Sequence, residues 1–300
     1  MNGHTPHVSV CLPVFNGERY VRAAIASVLA QDGVDLELVV VDNASTDGTV
    51  AAVEGFDDER LRLLRNHTNV GAGRNWNRCL TEARGDLVKI LCADDWLYPG
   101  ALARQAAVLD APGNEGVVLV AAARDVVDGD GRRLLRRGWG PREGRVSGGA
   151  AVRRVARRGT NLIGEPSATL FRRAAALACG EFQPEATYVV DLDYWCRLLL
   201  HGDLYVIPEA LSAFRVSGGS WSVRVARRQT ADMRALLRGL HDDPCFDVSG
   251  LDVGLGSATA AANSRLRRLL YRGLALRGRL AARTLAAGPA GPGVSRRLEA

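Results

Sequence analysis

Leu87-Val88-Lys89-Ile90-Leu91-Cys92-Ala93-Asp94-Asp95-Trp96 is an apolar run that stops at two adjacent carboxylates, with Pro99-Gly100 just beyond. The run is short and carries β-branched residues, the pattern of a strand buried on both faces. Ligands of an open α/β sheet sit at the carboxyl ends of its strands. Two acids at such an end serve packing poorly and can hold a divalent cation through oxygen. A solvated turn that caps the next helix is the competing reading.

Working upstream, Val8–Val14 reads as a strand that ends in Phe15-Asn16-Gly17-Glu18. That turn opens a helix with Tyr20, Ala24, Val28 and Leu29 on its apolar face. Leu36–Val41 is apolar enough to be a central parallel strand. It stops at Asp42-Asn43-Ala44-Ser45-Thr46-Asp47-Gly48-Thr49, where Ser45 or Thr46 is expected to cap the following helix. Leu61–Leu64 is a third strand, and Asn69–Asn75 opens a helix carrying Trp76 and Leu80. Four alternations within the first 91 residues predict a doubly wound α/β unit. Gly71-Ala72-Gly73 is not a dinucleotide fingerprint. It follows the third strand, and Trp76 stands where the third glycine belongs.

Downstream, a helix is expected through Leu102, Ala106 and Leu109, then a strand over Gly116–Ala123. A polar stretch turns at Asp128-Gly129-Asp130-Gly131, and residues 149–158 form a basic helix. A strand follows Gly164-Glu165-Pro166-Ser167. The next helix starts near Tyr188 with Asp191 in its first turn, where the helix dipole favours a carboxylate. Two short strands, Leu204–Ile207 and Leu211–Arg215, precede a loop over residues 217–222. Beyond residue 223 the pattern is helical, and 287–300 is Gly/Pro-rich and expected to be disordered.

The totals narrow the class. In 300 residues, 47% are apolar and 24% charged, which suits a soluble globular protein with a sizeable core. The net charge of +6 admits nucleic acid, an acidic membrane surface or a phosphorylated ligand. Lys89 is the only lysine among 39 basic residues; the arginine excess in an Ala- and Gly-rich chain marks a GC-rich coding sequence. The arginines are dispersed, with no aromatic residues interleaved, so nucleic acid is not expected. Six cysteines without a CxxC pair read as reduced thiols of a cytoplasmic protein. No signal peptide is expected, and no run approaches the ~18 apolar residues of a membrane span.

VSVCLPVFNGERYVRAAIASVLAQ, LELVVVDNASTDGT and NVGAGRNWNRCLTEARGDLVKILCADDWLYPGAL, in this order and spacing, resemble the family-2 glycosyltransferases of GT-A fold. The resemblance covers residues 7–222. It implies a GT-A domain over 1–222 with a central, mostly parallel sheet: a nucleotide-sugar-binding half (7–110) and an acceptor-side half (111–222), followed by a helical region over 223–286. It further implies an inverting transfer from a nucleotide-diphosphate sugar, a UDP-sugar foremost, to an acceptor hydroxyl, assisted by Mg²⁺ or Mn²⁺.

By position in the motifs, Pro13 would line the base pocket and Asp42 would hydrogen-bond the nucleobase. Arg74 would lie beside base and phosphates. Asp94 matches the metal-binding aspartate; the acid often found two positions earlier is Cys92 here, and Asp95 is the neighbour that would compensate. Asp191 matches the general base, with Val190 in place of the usual preceding Glu and Trp195 and Arg197 supporting the register; Asp193 is the second candidate. Arg215 would face the diphosphate, with Ser217 where His is frequent. Ser220 and Trp221 fall in the expected lid loop. Glu165 would bind acceptor hydroxyls or merely shape a turn.

The departures at Cys92, Val190 and Ser217 keep a degenerate, non-catalytic sugar-nucleotide binder as an alternative. A nucleotidyltransferase is a further one, although Phe15-Asn16-Gly17-Glu18 lacks the basic phosphate loop it would need. Seven arginines among leucines over residues 264–283 predict either a helix lying on an anionic membrane, at its inner face, or one packing on the catalytic domain or a second subunit in a homodimer.

Overall fold

Strict alternation decides which way each central strand faces. In β1 (Val8–Val14), Val8, Val10, Leu12 and Val14 enter one apolar cluster, while Cys11 enters the other. In β2 (Leu36–Asp42), Leu36, Leu38 and Val40 divide from Val39 and Val41 in the same way. The side-chain period of two therefore feeds a core on each face of one sheet. The computed structural model describes residues 5–183, 188–216 and 228–266.

The other strands are β3 (Leu61–Arg65), β4 (Leu87–Ile90), β5 (Trp96–Leu97), β6 (Val117–Val127), β7 (Arg133–Arg137), β8 (Gly144–Val146), β9 (Thr169–Arg172) and β10 (Asp203–Arg215). Their order is β3-β2-β1-β4-β9-β6-β10-β5, with β7 on β6 and β8 on β10. The first four are parallel, as the alternation of elements predicts. β9 runs antiparallel to both β4 and β6, and β10 runs parallel to β6. That single reversal has a large consequence. It brings the amino end of β9, with the 3₁₀ turn Pro166–Ala168 before it, to the edge where β1, β2, β4, β6 and β10 end.

Helices α1 (Val21–Leu29), α2 (Thr49–Glu54) and α4 (Ala101–Asp110) cover one face. α3 (Ala72–Glu82), α5 (Gly148–Arg158), α6 (Arg173–Cys179), α7 (Val190–Leu198) and α8 (Gln229–Asp242) cover the other, around Phe171, Phe182 and Trp195. A further helix, α9, covers the described residues 250–266.

Two local expectations are corrected. Neither Ser45 nor Thr46 caps α2. Thr49 N donates to Asp47 Oδ1 at 3.0 Å, while Asn16 N donates to Ser45 Oγ at 2.9 Å and Thr46 N to Asn16 Oδ1 at 2.8 Å. The left-handed backbones of Asn16 (φ 51°) and Ala44 (φ 61°) turn these two loops toward each other. Second, the expected strands 204–207 and 211–215 are one strand; a register shift between Ile207 and Ala210 spans Pro208, and such irregularities carry a strand past a residue that cannot donate. β5, β8 and α6, for which the sequence raises no expectation, are too short to show a periodic signal.

α9 docks on α5 through its small and polar side. Asp252, Gly256, Ala260 and Ser264 are buried, Arg157 pairs with Asp252, and Thr259 Oγ1 donates to the Arg158 carbonyl at 3.0 Å. A side chain at Gly256 would collide with the Ala156 carbonyl, whereas Gly254 faces open space. Gly256→Val is accordingly expected to cost roughly 1–3 kcal/mol. Gly254→Ala should add up to about 1 kcal/mol through helix propensity. Urea melts of the pair check the docking.

Candidate active site

Three groups of side chains meet at the common edge. The first follows β1 and β2. Pro13 is half-buried beside Val41. Asp42 is almost wholly buried, and both its oxygens accept from Ser45 N, at 3.3 and 3.2 Å. Around it lies an amide network. Asn43 donates to Asn69 Oδ1 at 2.9 Å and accepts from Val70 N at 3.0 Å. Asn66 donates to Asn43 and to Asn75, both at 2.8 Å, and Asn75 donates to the Val41 carbonyl at 3.0 Å. The loops after β2 and β3 are thereby locked together. Reading the sequence missed these residues; their one signal is the recurrence of asparagine beside strand ends. Arg74 is exposed in the first turn of α3.

The second group is the acid corner after β4. Asp95 is buried and its two oxygens are taken: Oδ2 accepts from Ser167 Oγ at 2.5 Å and Oδ1 from Arg215 N at 2.8 Å. Burial, and then the neighbouring Asp94, push its carboxyl well above the usual range. Asp94 keeps a partly exposed carboxylate, and its carbonyl accepts from Arg215 Nε at 2.9 Å. The Arg215 guanidinium also donates to the Gly129 carbonyl at 2.8 Å and lies between the rings of Tyr20 and Trp96, 4.3 and 4.9 Å from their centroids. Arg215 is buried here and bridges the β6–β7 hairpin and Asp94. Burial, then Asp95 and Asp94, hold the Cys92 thiol well above its ordinary value, so Cys92 stays a protonated packing residue.

Lys89 supports this corner and was read in the sequence only as the single lysine. Its ammonium is fully buried and donates to the carbonyls of Ser167 at 3.0 Å and Thr169 at 2.7 Å. Burial lowers it to about 7. Lys89→Ala leaves two carbonyls unpaired and a void, an expected loss of about 2–4 kcal/mol. From about 7 to its ordinary 10.5, the unfolded chain holds a proton that the folded chain has released. Lys89 therefore makes stability rise with pH across this window. Lys89→Met should abolish that share of the rise, as read by urea melts of both proteins at either end of the window.

The third group surrounds Asp191 in the first turn of α7. Asn161 Nδ2 donates to Asp191 Oδ2 at 2.8 Å and to the Gly164 carbonyl at 3.1 Å, while Leu192 N donates to Asp191 Oδ1 at 2.8 Å. Trp195 Nε1 donates to the same Gly164 carbonyl at 3.1 Å. Burial, and next the Glu165 charge, push Asp191 up to about 7. Burial would also raise Glu165. Arg124, whose Nε lies 2.5 Å away, together with Arg137, outweighs it and keeps Glu165 ionised below its ordinary value. Asp193 is drawn away from this group by Arg197, 3.0 Å distant on the next turn. The turn at residues 164–168 joins the two acid groups, since Glu165 acts on Asp191 and Ser167 on Asp95. Ser217, Ser220 and Trp221 lie outside the described residues. Among the described residues no three His, Cys, Asp or Glu side chains form a metal cage, and no helix is long and apolar enough to cross a membrane.

The sequence profile of glycosyl transferase family 2 matches residues 9–178. An uncharacterized Mycobacterium tuberculosis protein is 34% identical over 259 residues, 81% of this chain and 78% of that protein. In fold, the chain is similar to the S. aureus TarS 1–349 structure in complex with UDP-GlcNAc (TM-score 0.63, 22% identity, 78% of this chain and 66% of that one). It is likewise similar to the mannosyltransferase PcManGT of Pyrobaculum calidifontis in complex with GDP-Man and Mn²⁺ (TM-score 0.61, 21% identity, 91% of this chain and 81% of that one).

Proposed function

Because the chain belongs to glycosyl transferase family 2 and is a glycosyltransferase, we propose that it moves a sugar from a nucleotide-diphosphate donor to an acceptor hydroxyl by single in-line displacement with inversion. One observation carries the reading: a half-buried carboxyl, Asp191, oriented by Asn161 and raised to about 7. A general base works best with a pKa near the working pH. Asp191 takes the proton as the acceptor oxygen attacks the anomeric carbon, and the bond to the diphosphate breaks on the opposite face. Glu165 stays charged on Arg124 and offers an acceptor for substrate hydroxyls.

A divalent cation fits the acid corner. Asp94 presents a carboxylate there, and Mg²⁺ or Mn²⁺ takes few protein oxygens and completes its shell with phosphate and water. Bound, such a cation neutralises charge developing on the leaving diphosphate. Asp95, committed to Ser167 and Arg215, shapes the corner; Asp94 holds the ion. The solved neighbours bound to UDP-GlcNAc and to GDP-Man with Mn²⁺ support a nucleotide-sugar donor and a metal here.

Asp42, at the end of β2, would supply an acceptor for a uracil imide N–H, which favours UDP-sugars. Asp42→Ala is expected to raise the donor KM about tenfold, the worth of one charge-assisted hydrogen bond, with a smaller change in kcat. The proposal is tested by a thermal-shift panel of nucleotide-sugars with Mn²⁺, since ligand binding raises Tm by mass action. A nucleotide-sugar that both stabilises the chain and is turned over to free nucleoside diphosphate with the sugar joined to an acceptor confirms it. A donor that binds but is never turned over, whatever the acceptor, makes the chain a non-catalytic sugar-nucleotide binder.

A further inference from the structure

Three consecutive carbonyls of one short turn are taken by side chains of β4 and α4. The Lys89 ammonium donates to the carbonyls of Ser167 at 3.0 Å and Thr169 at 2.7 Å, and Gln105 Nε2 donates to the carbonyl between them, Ala168, at 3.0 Å. Both side chains are fully buried. The turn is also closed on itself. Ala168 N donates to the Glu165 carbonyl at 2.9 Å, and Thr169 Oγ1 donates to the Pro166 carbonyl at 3.0 Å. An ammonium is costly to bury, and this one fixes the place of a turn.

The turn reaches both acid groups of the site. Ser167 Oγ accepts from Cys92 N at 3.2 Å and donates to Asp95 Oδ2 at 2.5 Å, while Asp95 N donates to the Cys92 carbonyl at 3.0 Å. Residues 92–95 therefore form a loop pinned at both ends to one hydroxyl, and Asp94 stands inside it. At the other end of the turn Glu165, anchored on Arg124 Nε at 2.5 Å, sets its charge on Asp191. Displacing the turn would shift the shape of the Asp94 loop and the surroundings of Asp191 together. Misplacement by about 1 Å can cost a catalytic site ~10²-fold.

We propose that the turn 165–169, gripped by Lys89 and Gln105, is the positioning element that holds the metal-binding loop and the base at one fixed spacing. Ser167 is the positioning residue for Asp94, and Lys89 and Gln105 are the positioning residues for the turn itself. None of the three touches substrate or metal. The inference rests on the roles given above to Asp94 and Asp191.

Two measurements on the full chain, neither needing turnover, test it. Mn²⁺ affinity is read from the paramagnetic resonance of free Mn²⁺ in the presence of UDP. Ser167→Ala, Lys89→Met and Gln105→Leu should each weaken it about tenfold or more, the usual effect of removing a group that orients a metal ligand. The base is read from the gain in Tm that Asp191→Asn gives at about pH 8. Lys89→Met and Gln105→Leu should shrink that gain. A loosened turn admits water to Asp191 and lets Glu165 drift from it, which weakens the two largest causes of its raised carboxyl. Ser167→Ala should leave the gain unchanged. Leu237→Ala, which opens a void beside Gly256 between α8 and α9, should lower Tm and move neither readout. Lys89→Met with wild-type Mn²⁺ affinity and an undiminished gain overturns the proposal, and so does a variant of Lys89 or Gln105 that moves only one readout. Equal changes in Leu237→Ala overturn it too, because general loosening would then be the cause. If Lys89→Met does not fold, Gln105→Leu decides by the same readouts. Wild type that binds no Mn²⁺ with UDP, or Asp191→Asn without its gain, refutes the roles of the two acids and the proposal with them; wild-type behaviour of the turn variants alone refutes only the turn.

Discussion

Asp191→Asn should abolish sugar transfer while leaving donor binding intact. Asparagine keeps the shape and the Asn161 contact, but it cannot take a proton. The expected loss in kcat is about 10²–10⁴-fold, the ordinary contribution of a positioned general base. The donor-induced rise in Tm should be unchanged. In the wild type the base must be ionised to act, and its carboxyl sits at about 7. Hence kcat/KM should fall about tenfold per pH unit below that value and level off above it. Glu165→Gln removes the second-largest cause of the shift, so the acid limb should move to lower pH. Stability gives an independent check. Between the ordinary 3.8 and about 7, the folded chain holds a proton that the unfolded chain has lost, so raising pH through this window weakens the fold. Asp191→Asn should therefore melt higher than wild type above pH 7, with the difference closing toward pH 4. Near-normal turnover by the variant would refute the assignment.

Asp94→Ala is the second large effect. It should lower transfer about 10²–10³-fold and remove activation by Mn²⁺, with little loss of Tm. Chelation of wild type by EDTA should lower activity to a similar level, and the variant should be insensitive to it. The adjacent Asp95→Ala should behave oppositely at the level of stability. It leaves Ser167 Oγ and the buried Arg215 N without their acceptor, an expected loss of about 2–3 kcal/mol. Two neighbouring carboxylates are thus separable, one measured by metal dependence and one by urea melts. Turnover unaffected by both EDTA and Asp94→Ala would leave the metal without a role in this chain.

Much of this site was legible in the order of residues. Apolar runs ending in Asp42 and in Asp94-Asp95 placed both at strand ends, because strands buried on two faces must be apolar until they leave the sheet. Asp191 was legible from a carboxylate in a first helical turn within a family-like W-x-R context. Arg215 shows in the sequence as a basic residue at a strand end; the Asp94 and Gly129 carbonyls and the two rings around its guanidinium do not. A residue type announces charge, but the partners that absorb the charge come from distant segments. Asn161, Arg124 and the asparagine network were missed for the same reason.

By itself the sequence determined the alternating strands and helices, the two faces of the sheet and the family, because periodicity and local motifs are properties of neighbouring residues. The tertiary structure alone decided which of the two acids after β4 is buried, why Asp191 is raised to about 7, and which side of α9 is hidden. Each of these depends on β9 running antiparallel between β4 and β6, or on a glycine meeting a distant carbonyl. Desolvation and pairing are set by groups far apart in the chain, and no local pattern records them.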